Sequence, residues 1–176
     1  TDRTQASRRQ ATARFSRFSR APLHSTRWAR VVTLDSVIVD FQHKTFRSFD
    51  GTEIAYQVGG VPPGQPTPPG LPLVLANGLG GNFSTWVPML ERLPQQRKII
   101  TWDYRGLYGS RRPLTPRTLG PADQVRDLEA LLTHEGVERA VFVGWSMGVQ
   151  INFEAIRRMS RRVAGLVAIN GVAGRP

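Results

Sequence analysis

The chain has no cysteine, and its 176 residues include only three histidines, at His24, His43 and His134. The absence of cysteine excludes disulfide bonds, thiolate metal sites and a cysteine nucleophile. The histidines are too far apart in the sequence for a metal-binding motif, so we predict neither a metal nor another cofactor. No apolar run approaches the roughly 20 residues that a membrane-spanning helix needs, and we therefore predict no membrane span.

Acidic residues are also scarce, since 13 Asp and Glu stand against 24 Lys and Arg for a net charge of +11. Most of the excess lies in residues 1–30, where eight arginines accompany a single acid, Asp2. A nucleic-acid-binding domain would need a basic, aromatic-interleaved patch in its folded part, and residues 31–176 show none. We therefore predict no nucleic-acid partner. A nucleic-acid-associated protein that binds through the arginine-rich segment is kept as an alternative hypothesis.

Residues 1–36 are rich in Arg and Ser and have no apolar periodicity, so we predict a disordered tail. The composition also fits an organellar transit peptide, and the charge could attract anionic polymers or lipid head groups. Because the chain begins with Thr rather than Met, the segment could equally be upstream sequence translated from an incorrectly placed start. We favour a solvated tail or such upstream sequence over the other two interpretations, and we predict a cytoplasmic protein with its domain at residues 37–176.

The domain sequence predicts a β-hairpin followed by alternating strands and helices. The hairpin spans residues 37–58 and turns at Asp50-Gly51, a strong turn signal. After a loop rich in Pro and Gly, we predict strands at 72–76, 98–102, 140–143 and 163–169, and helices at 84–93, 121–136 and 147–159, the first capped by Ser84. This alternation indicates an α/β protein whose mostly parallel sheet carries helices on both faces.

The strand at 140–143 runs directly into Gly144-Trp145-Ser146-Met147-Gly148, a Gly-x-Ser-x-Gly sequence that a helical pattern follows. Strand, sharp turn and helix in this order are the context in which a serine acts as an exposed nucleophile. The glycines allow the flanking backbones to pass close to the turn. The helix supplies N–H groups and a positive dipole end where an oxyanion would form. Without that context, the same residues would suit any tight strand-to-helix turn.

Two further motifs precede this one, each after a predicted strand: Asn77-Gly78-Leu79-Gly80-Gly81 and Asp103-Tyr104-Arg105-Gly106-Leu107-Tyr108-Gly109-Ser110. Together the three motifs make residues 37–175 resemble the N-terminal part of an α/β-hydrolase-fold protein of the serine esterase, lactonase and haloperoxidase-like branch, truncated after about the sixth strand. The corresponding family loops read His-Gly-x-Gly-Gly and Asp-x-Arg-Gly-x-Gly-x-Ser. A serine at the nucleophile position argues against epoxide hydrolases and haloalkane dehalogenases, which use an aspartate.

The resemblance implies a hydrolase of carboxylic esters, lactones or similar acyl bonds in a small-molecule substrate. Ser146 would be the catalytic nucleophile, and the backbone N–H groups of Leu79 and Met147 would form the oxyanion hole. Asp103 and Arg105 would form a structural ion pair beside the site. The supporting residues would be Asn77, Gly78, Gly80, Gly81, Gly144, Trp145 and Gly148.

Asn77 and Val149 depart from the family pattern. Asn77 replaces the usual histidine, although its amide can still shape the turn. Val149 stands where many relatives have another glycine, which predicts a slightly wider contact between the turn and its neighbouring strand.

The triad partners of the serine are missing. In the family an acid and then a histidine follow the nucleophile, but residues 147–176 contain one acid, Glu154, and no histidine. We therefore predict a truncated serine hydrolase that is inactive as this fragment. The alternative is a non-catalytic α/β-hydrolase-like protein that binds a ligand or partner. The strand at 163–169 would be an apolar sheet edge, and the sequence leaves the oligomeric state open.

Overall fold

Seven strands form one sheet in the computed structural model, which describes residues 27–31, 39–60, 70–92, 97–114 and 118–173. They are β1 (Arg27–Val31), β2 (Val39–Arg47), β3 (Glu53–Gly59), β4 (Leu73–Ala76), β5 (Ile99–Trp102), β6 (Ala140–Trp145) and β7 (Val163–Ile169). Their order across the sheet is β1-β2-β3-β5-β4-β6-β7. β1, β2 and β3 pair antiparallel, and β3 meets β5 antiparallel, whereas β4, β5, β6 and β7 all run parallel.

Helices cover both faces of this sheet, so the predicted α/β architecture is confirmed. On one face lie α2 (Pro121–His134) and α3 (Met147–Met159), which also pack against each other. Their buried stripes meet the inward side chains of the strands in one apolar cluster, which includes Val125, Leu128, Ile151, Ile100 and Phe142. The other face carries a 3₁₀ turn (Phe83–Trp86) that continues into the short α1 (Val87–Leu90). The helices form these layers because each connection between parallel strands must cross over one face of the sheet.

The cap of the helical segment before β5 differs from the prediction. Asn82, not Ser84, is the capping residue, because its side-chain Oδ1 accepts the backbone N–H of Ser84 at 3.0 Å. The Ser84 hydroxyl itself donates to that same oxygen at 2.6 Å. An asparagine just before the helical segment therefore satisfies the first free donor.

Part of the predicted tail is a strand. Arg27–Val31 pairs antiparallel with β2, in register from Arg27 opposite His43 to Val31 opposite Val39. Residues 1–26 and 32–38, and with them His24 and most of the arginine-rich segment, lie outside the described residues. The transit-peptide, solvated-tail and cytoplasmic interpretations stay predictions.

The parallel register brings the three sequence motifs to one edge of the sheet. Ala76 lies opposite Gly144, and Leu75 lies opposite Thr101, so β4, β5 and β6 end at the same level. Loops at the carboxyl ends of parallel strands are where α/β folds place their ligand sites. β7 lies beyond β6, and among the described strands it has no partner on its outer side. In the described part of the chain, no helix has the length and apolar character to cross a bilayer.

Candidate active site

Ser146 joins β6 to α3 in a backbone conformation that serine rarely adopts. Its φ of 55° and ψ of −117° lie outside the favoured regions for a residue with a Cβ. Such a residue stores roughly 1–3 kcal/mol of strain, which the surrounding contacts must hold. The Ser146 N–H donates to Ile169 O at 3.0 Å, and its carbonyl accepts the Val149 N–H at 3.0 Å. The result is an exposed serine side chain at the tip of a sharp turn.

The flanking glycines have a steric reason. A Cβ on Gly148 would lie 2.0 Å from Ala76 O, so the start of α3 packs directly on the end of β4. A Cβ on Gly144 would lie 2.6 Å from Gly148 O. Val149, which departs from the family pattern, is buried. The neighbouring residue 171 is glycine, and a Cβ there would lie 2.4 Å from the Cβ of Val149, so the glycine leaves room for the valine.

The loop after β4 lies against this turn. A Cβ on Gly78 would be 3.3 Å from the Cβ of Ser146 and 2.7 Å from the ring of Trp145. The Gly81 N–H donates to Gly78 O at 2.9 Å, and Gly80 has a φ of +72°, so residues 78–81 form a tight turn that needs glycine at its third position. The structure therefore brings Gly78 beside the predicted nucleophile.

Asn77 anchors the base of this loop and is fully buried. Its Nδ2 donates to Trp102 O at 2.9 Å, and its Oδ1 accepts the indole N–H of Trp86 at 2.6 Å. An asparagine side chain carries a donor and an acceptor and satisfies both here. The amide thus ties the start of the loop to Trp102 of β5 and to Trp86, and its role in shaping the turn stays a prediction.

Two tyrosines from the loop after β5 hold the same turn, and the sequence interpretation missed both. The buried Tyr104 hydroxyl donates to Asn77 O, and the exposed Tyr108 hydroxyl donates to Gly80 O. Tyr108 has a φ of 48°. Its presence in place of a glycine of the family loop is the one signal in the sequence that could have drawn attention to it.

The predicted ion pair between Asp103 and Arg105 is wrong. Arg105 instead makes a bidentate pair with Asp127 of α2, with Nε–Oδ2 and Nη2–Oδ1 distances of 2.8 and 2.7 Å. It also donates to Asp50 of the hairpin turn at 3.0 Å. Burial lowers the pKa of Arg105, but the bonds to these two carboxylates outweigh it and raise the pKa above its ordinary value. Arg105 is thus structural, as predicted, with different partners.

The Asp103 carboxylate bonds within its own loop, and no described residue forms an ion pair with it. Its Oδ2 accepts the Gly109 N–H at 3.1 Å, and its carbonyl accepts the Ser110 hydroxyl at 2.6 Å. Burial raises the pKa of Asp103, and the bond from Gly109 opposes that rise only in part. Asp103 therefore closes its own loop.

The two predicted oxyanion donors have free N–H groups in the part of the chain that the structure describes. Neither the Leu79 nor the Met147 backbone N–H meets an acceptor there. Met147 begins α3, whose positive dipole end favours negative charge. The Leu79 residue is 75% exposed, so the loop is held by its backbone and not by burial of that side chain.

No described residue supplies a general base to Ser146. His43 lies on β2, which three strands separate from β6. His134 ends α2, before β6 begins, and its ring stacks on Phe46 at a centroid distance of 5.6 Å. Glu154 pairs with Arg157 at 3.1 Å on α3. Nor do the described side chains gather three His, Asp or Glu residues into a metal site.

Comparisons with known proteins show which proteins this chain resembles. A family model of the alpha/beta hydrolase fold matches residues 72–174. A protein of Azorhizobium caulinodans named as a putative carbamate hydrolase, RutD, is 33% identical over 104 residues, which are 59% of this chain and 38% of that protein.

Solved structures share the fold over a larger part of the chain. A hydrolase from Pseudomonas aeruginosa is 27% identical, with a TM-score of 0.66 over 76% of this chain and 48% of that one. A thermophilic esterase from Thermogutta terrifontis is 25% identical, with a TM-score of 0.62 over 77% and 47%. The chain thus spans less than half the length of each of these three proteins.

Proposed function

The chain belongs to the α/β-hydrolase fold family, and we propose that the whole protein hydrolyses carboxylic esters, lactones or similar acyl bonds through an acyl-enzyme on Ser146. The observation that carries this proposal is the geometry of the turn. Ser146 is exposed with a φ of 55°, and its Cβ lies beside the backbone of Gly78. A nucleophile so placed can reach a bound carbonyl carbon while N–H groups face the developing oxyanion.

The reaction follows from these positions. Ser146 Oγ adds to the acyl carbon as a base removes its proton, and the carbonyl oxygen becomes an oxyanion near the Leu79 and Met147 N–H groups. Collapse of this intermediate expels the alcohol or amine, which takes the proton back, and leaves the acyl group on Oγ. Water then adds to the acyl carbon by the same route and releases the acid and the free serine. Each oxyanion donor contributes roughly 3 kcal/mol to lowering the barrier.

The base and its acid partner are proposed to lie in sequence that follows Pro176 in the whole protein. The described histidines are remote from Ser146, and loss of the base in a serine–histidine pair lowers turnover by up to about 10⁶-fold. The 176-residue chain by itself should therefore not hydrolyse p-nitrophenyl acetate above background. A carbamate is one of the acyl compounds within the proposed class, and the name of the Azorhizobium relative supports testing it.

The test is Ser146→Ala in the whole protein, assayed with p-nitrophenyl acetate and a p-nitrophenyl carbamate. We expect loss of turnover by at least about 10⁴-fold and loss of the acyl mass increment on the peptide that contains Ser146. Ser160→Ala is the matched control, because Ser160 is exposed at the far end of α3. Full turnover by the Ser146→Ala variant would contradict the proposal.

A non-catalytic binding protein is the second candidate, and the lack of a described base near Ser146 favours it. The downstream coding sequence separates the two. An Asp or Glu after another strand, followed by a late His, supports the hydrolase, whereas a stop codon directly after Pro176 supports the binding protein.

A further inference from the structure

Tyr108 has an unusual backbone conformation and an unusual contact. Its φ of 48° is in the left-handed region, which costs a residue with a side chain roughly 1–2 kcal/mol. The residue is 58% exposed, so burial of the ring does not explain why a tyrosine is held there. Its hydroxyl donates to Gly80 O, in the loop that lies against Ser146. Strain that is held at such a contact points to a role at the site.

The contact continues through two peptide groups toward the predicted oxyanion hole. A trans peptide group is planar, with its C=O and N–H pointing in opposite directions. The peptide that accepts the Tyr108 hydroxyl at Gly80 O therefore directs its Gly81 N–H away from Tyr108, and that N–H donates to Gly78 O at 2.9 Å. The Gly78 peptide in turn directs the Leu79 N–H away from the turn.

These bonds form one directed chain, in which each group donates to the next. It runs from the Tyr108 hydroxyl through the Gly80–Gly81 peptide to the Gly78–Leu79 peptide, and it ends at a Leu79 N–H that has no acceptor in the described residues. Hydrogen bonds in such chains polarise one another, so a donor at one end strengthens the donor at the other. The free end belongs to a peptide that lies beside the nucleophile, since a Cβ on Gly78 would be 3.3 Å from the Ser146 Cβ.

The other end of the turn is fixed independently. Tyr104 donates to Asn77 O, and the Asn77 side chain is bonded to Trp86 and Trp102 within the core. Tyr104 is buried, so its removal would disturb packing as well as the bond. Tyr108 is the exposed brace of the pair, and its hydroxyl can be removed with little loss of packing.

We propose that Tyr108 is a positioning residue that fixes and polarises the Leu79 N–H for the oxyanion formed at Ser146. The inference rests on the proposed acyl-enzyme function. It predicts an effect on the charged intermediate and not on the bound substrate, because a neutral carbonyl gains much less from a strengthened donor.

The test compares Tyr108→Phe with wild type in the whole protein, using p-nitrophenyl acetate. We expect kcat to fall about tenfold with KM changed by less than about twofold. The affinity for a trifluoromethyl ketone, which forms a tetrahedral adduct on serine, should fall by the same factor as kcat. Amide hydrogen exchange at residues 79–81 should become faster. Tyr108→Gly removes the hydroxyl and the backbone strain together and should reproduce the loss of kcat.

Tyr56→Phe is the matched control, because the Tyr56 hydroxyl bonds Glu135 at 2.6 Å on the opposite face of the sheet from the α1 layer. Its kcat and inhibitor affinity should remain at the wild-type level. Unchanged kcat in Tyr108→Phe, or an equal loss in Tyr56→Phe, would overturn the role of Tyr108 while Ser146-dependent turnover leaves the proposed function standing. Turnover that survives Ser146→Ala would overturn both.

Discussion

Arg105 follows β5 and Ser146 follows β6 at the same edge of the sheet, yet the two side chains differ in exposure and in hydrogen bonding. The Ser146 side chain is exposed, and no described residue accepts or donates a hydrogen bond at its hydroxyl. Arg105 is 2% exposed, and its Nε, Nη1 and Nη2 all donate, to Asp127, Asp50 and the carbonyl of Thr118. One residue is strained and available, whereas the other is relaxed and fully paired.

The difference shows what each residue can do. A buried charge is stable only when its hydrogen bonds and counter-charges are complete, so Arg105 has no donor left for a ligand. It joins the loop after β5 to α2 and to the hairpin turn, which fixes the loop from which Tyr104 and Tyr108 reach Asn77 and Gly80. A reactive group requires the reverse, namely access and free donors nearby. The Arg105 region supports the candidate site, and the Ser146 region forms it.

Breaking the Arg105 region should have the largest effect on stability. Asp127→Ala leaves the buried guanidinium without its bidentate partner, and we expect a loss of about 3–5 kcal/mol in the free energy of unfolding. Urea denaturation measures it. Asp123→Ala removes a more exposed pair with Arg126 at 3.7 Å and should cost less than about 1 kcal/mol. Equal losses in the two variants would show that the buried network contributes no more than a surface pair.

Disrupting the packing around Ser146 should lower the free energy of unfolding almost as much. Gly148→Ala places a Cβ 2.0 Å from Ala76 O, where neither backbone can yield without moving α3 or β4. We expect a loss of about 3 kcal/mol or more in the free energy of unfolding, together with loss of Ser146 reactivity toward a fluorophosphonate in the whole protein. Gly165→Ala is the control, since its Cβ would meet nothing closer than 3.7 Å. A fully reactive Gly148→Ala variant would contradict the close packing.

The fold was predictable because its signals are local. Alternating apolar strands and amphipathic helices predicted the elements, and the glycines at 144 and 148 predicted a tight turn whose contacts the structure supplies. Both positions require glycine, because an added Cβ would come within 2.6 Å of a neighbouring atom at Gly144 and within 2.0 Å at Gly148. The position of Ser146 at the edge of the sheet follows from the parallel order of the strands.

The contacts between side chains that are distant in the sequence were not predictable. Asp103 is two residues from Arg105 in sequence, but the partners are Asp127, which is 22 residues away, and Asp50, which is 55 away. The bond from Tyr108 to Gly80 likewise joins loops that only the tertiary structure brings together. A short motif specifies the conformation of its own backbone, whereas the partners of its side chains depend on how the sheet is assembled.

Glu135 extends the comparison to a partly buried cluster at the end of α2. It pairs with Lys98 at 2.7 Å and Lys44 at 3.1 Å, and it accepts the Tyr56 hydroxyl at 2.6 Å. Burial alone would raise its pKa, but the bonds from Lys98 and Tyr56 and the charge of Lys98 lower the pKa from 4.5 to about 2. The contribution to stability is therefore complete above the unfolded-state pKa and is lost as the pH falls through the folded-state value.

Glu135→Gln should remove that contribution, up to about 3 kcal/mol at pH 7. The difference in the free energy of unfolding between variant and wild type should be about half as large at about pH 3. At that pH the unfolded-state carboxylate is already protonated, so part of the stabilisation is lost. Urea denaturation at both pH values measures it. A difference that does not depend on pH would show that packing, and not charge, makes Glu135 stabilising.

Tyr108→Gly should give the smallest change in stability and so separates the two regions most clearly. Relief of left-handed strain of roughly 1–2 kcal/mol opposes the lost hydroxyl bond and the greater chain entropy of glycine. We expect the free energy of unfolding to change by less than about 1 kcal/mol while kcat falls about tenfold. Asp127→Ala should show its main effect in stability, with the loss of about 3–5 kcal/mol expected above. A large loss of stability in Tyr108→Gly would place Tyr108 with Arg105 among the structural residues, because it would show that the tyrosine side chain stabilises the fold.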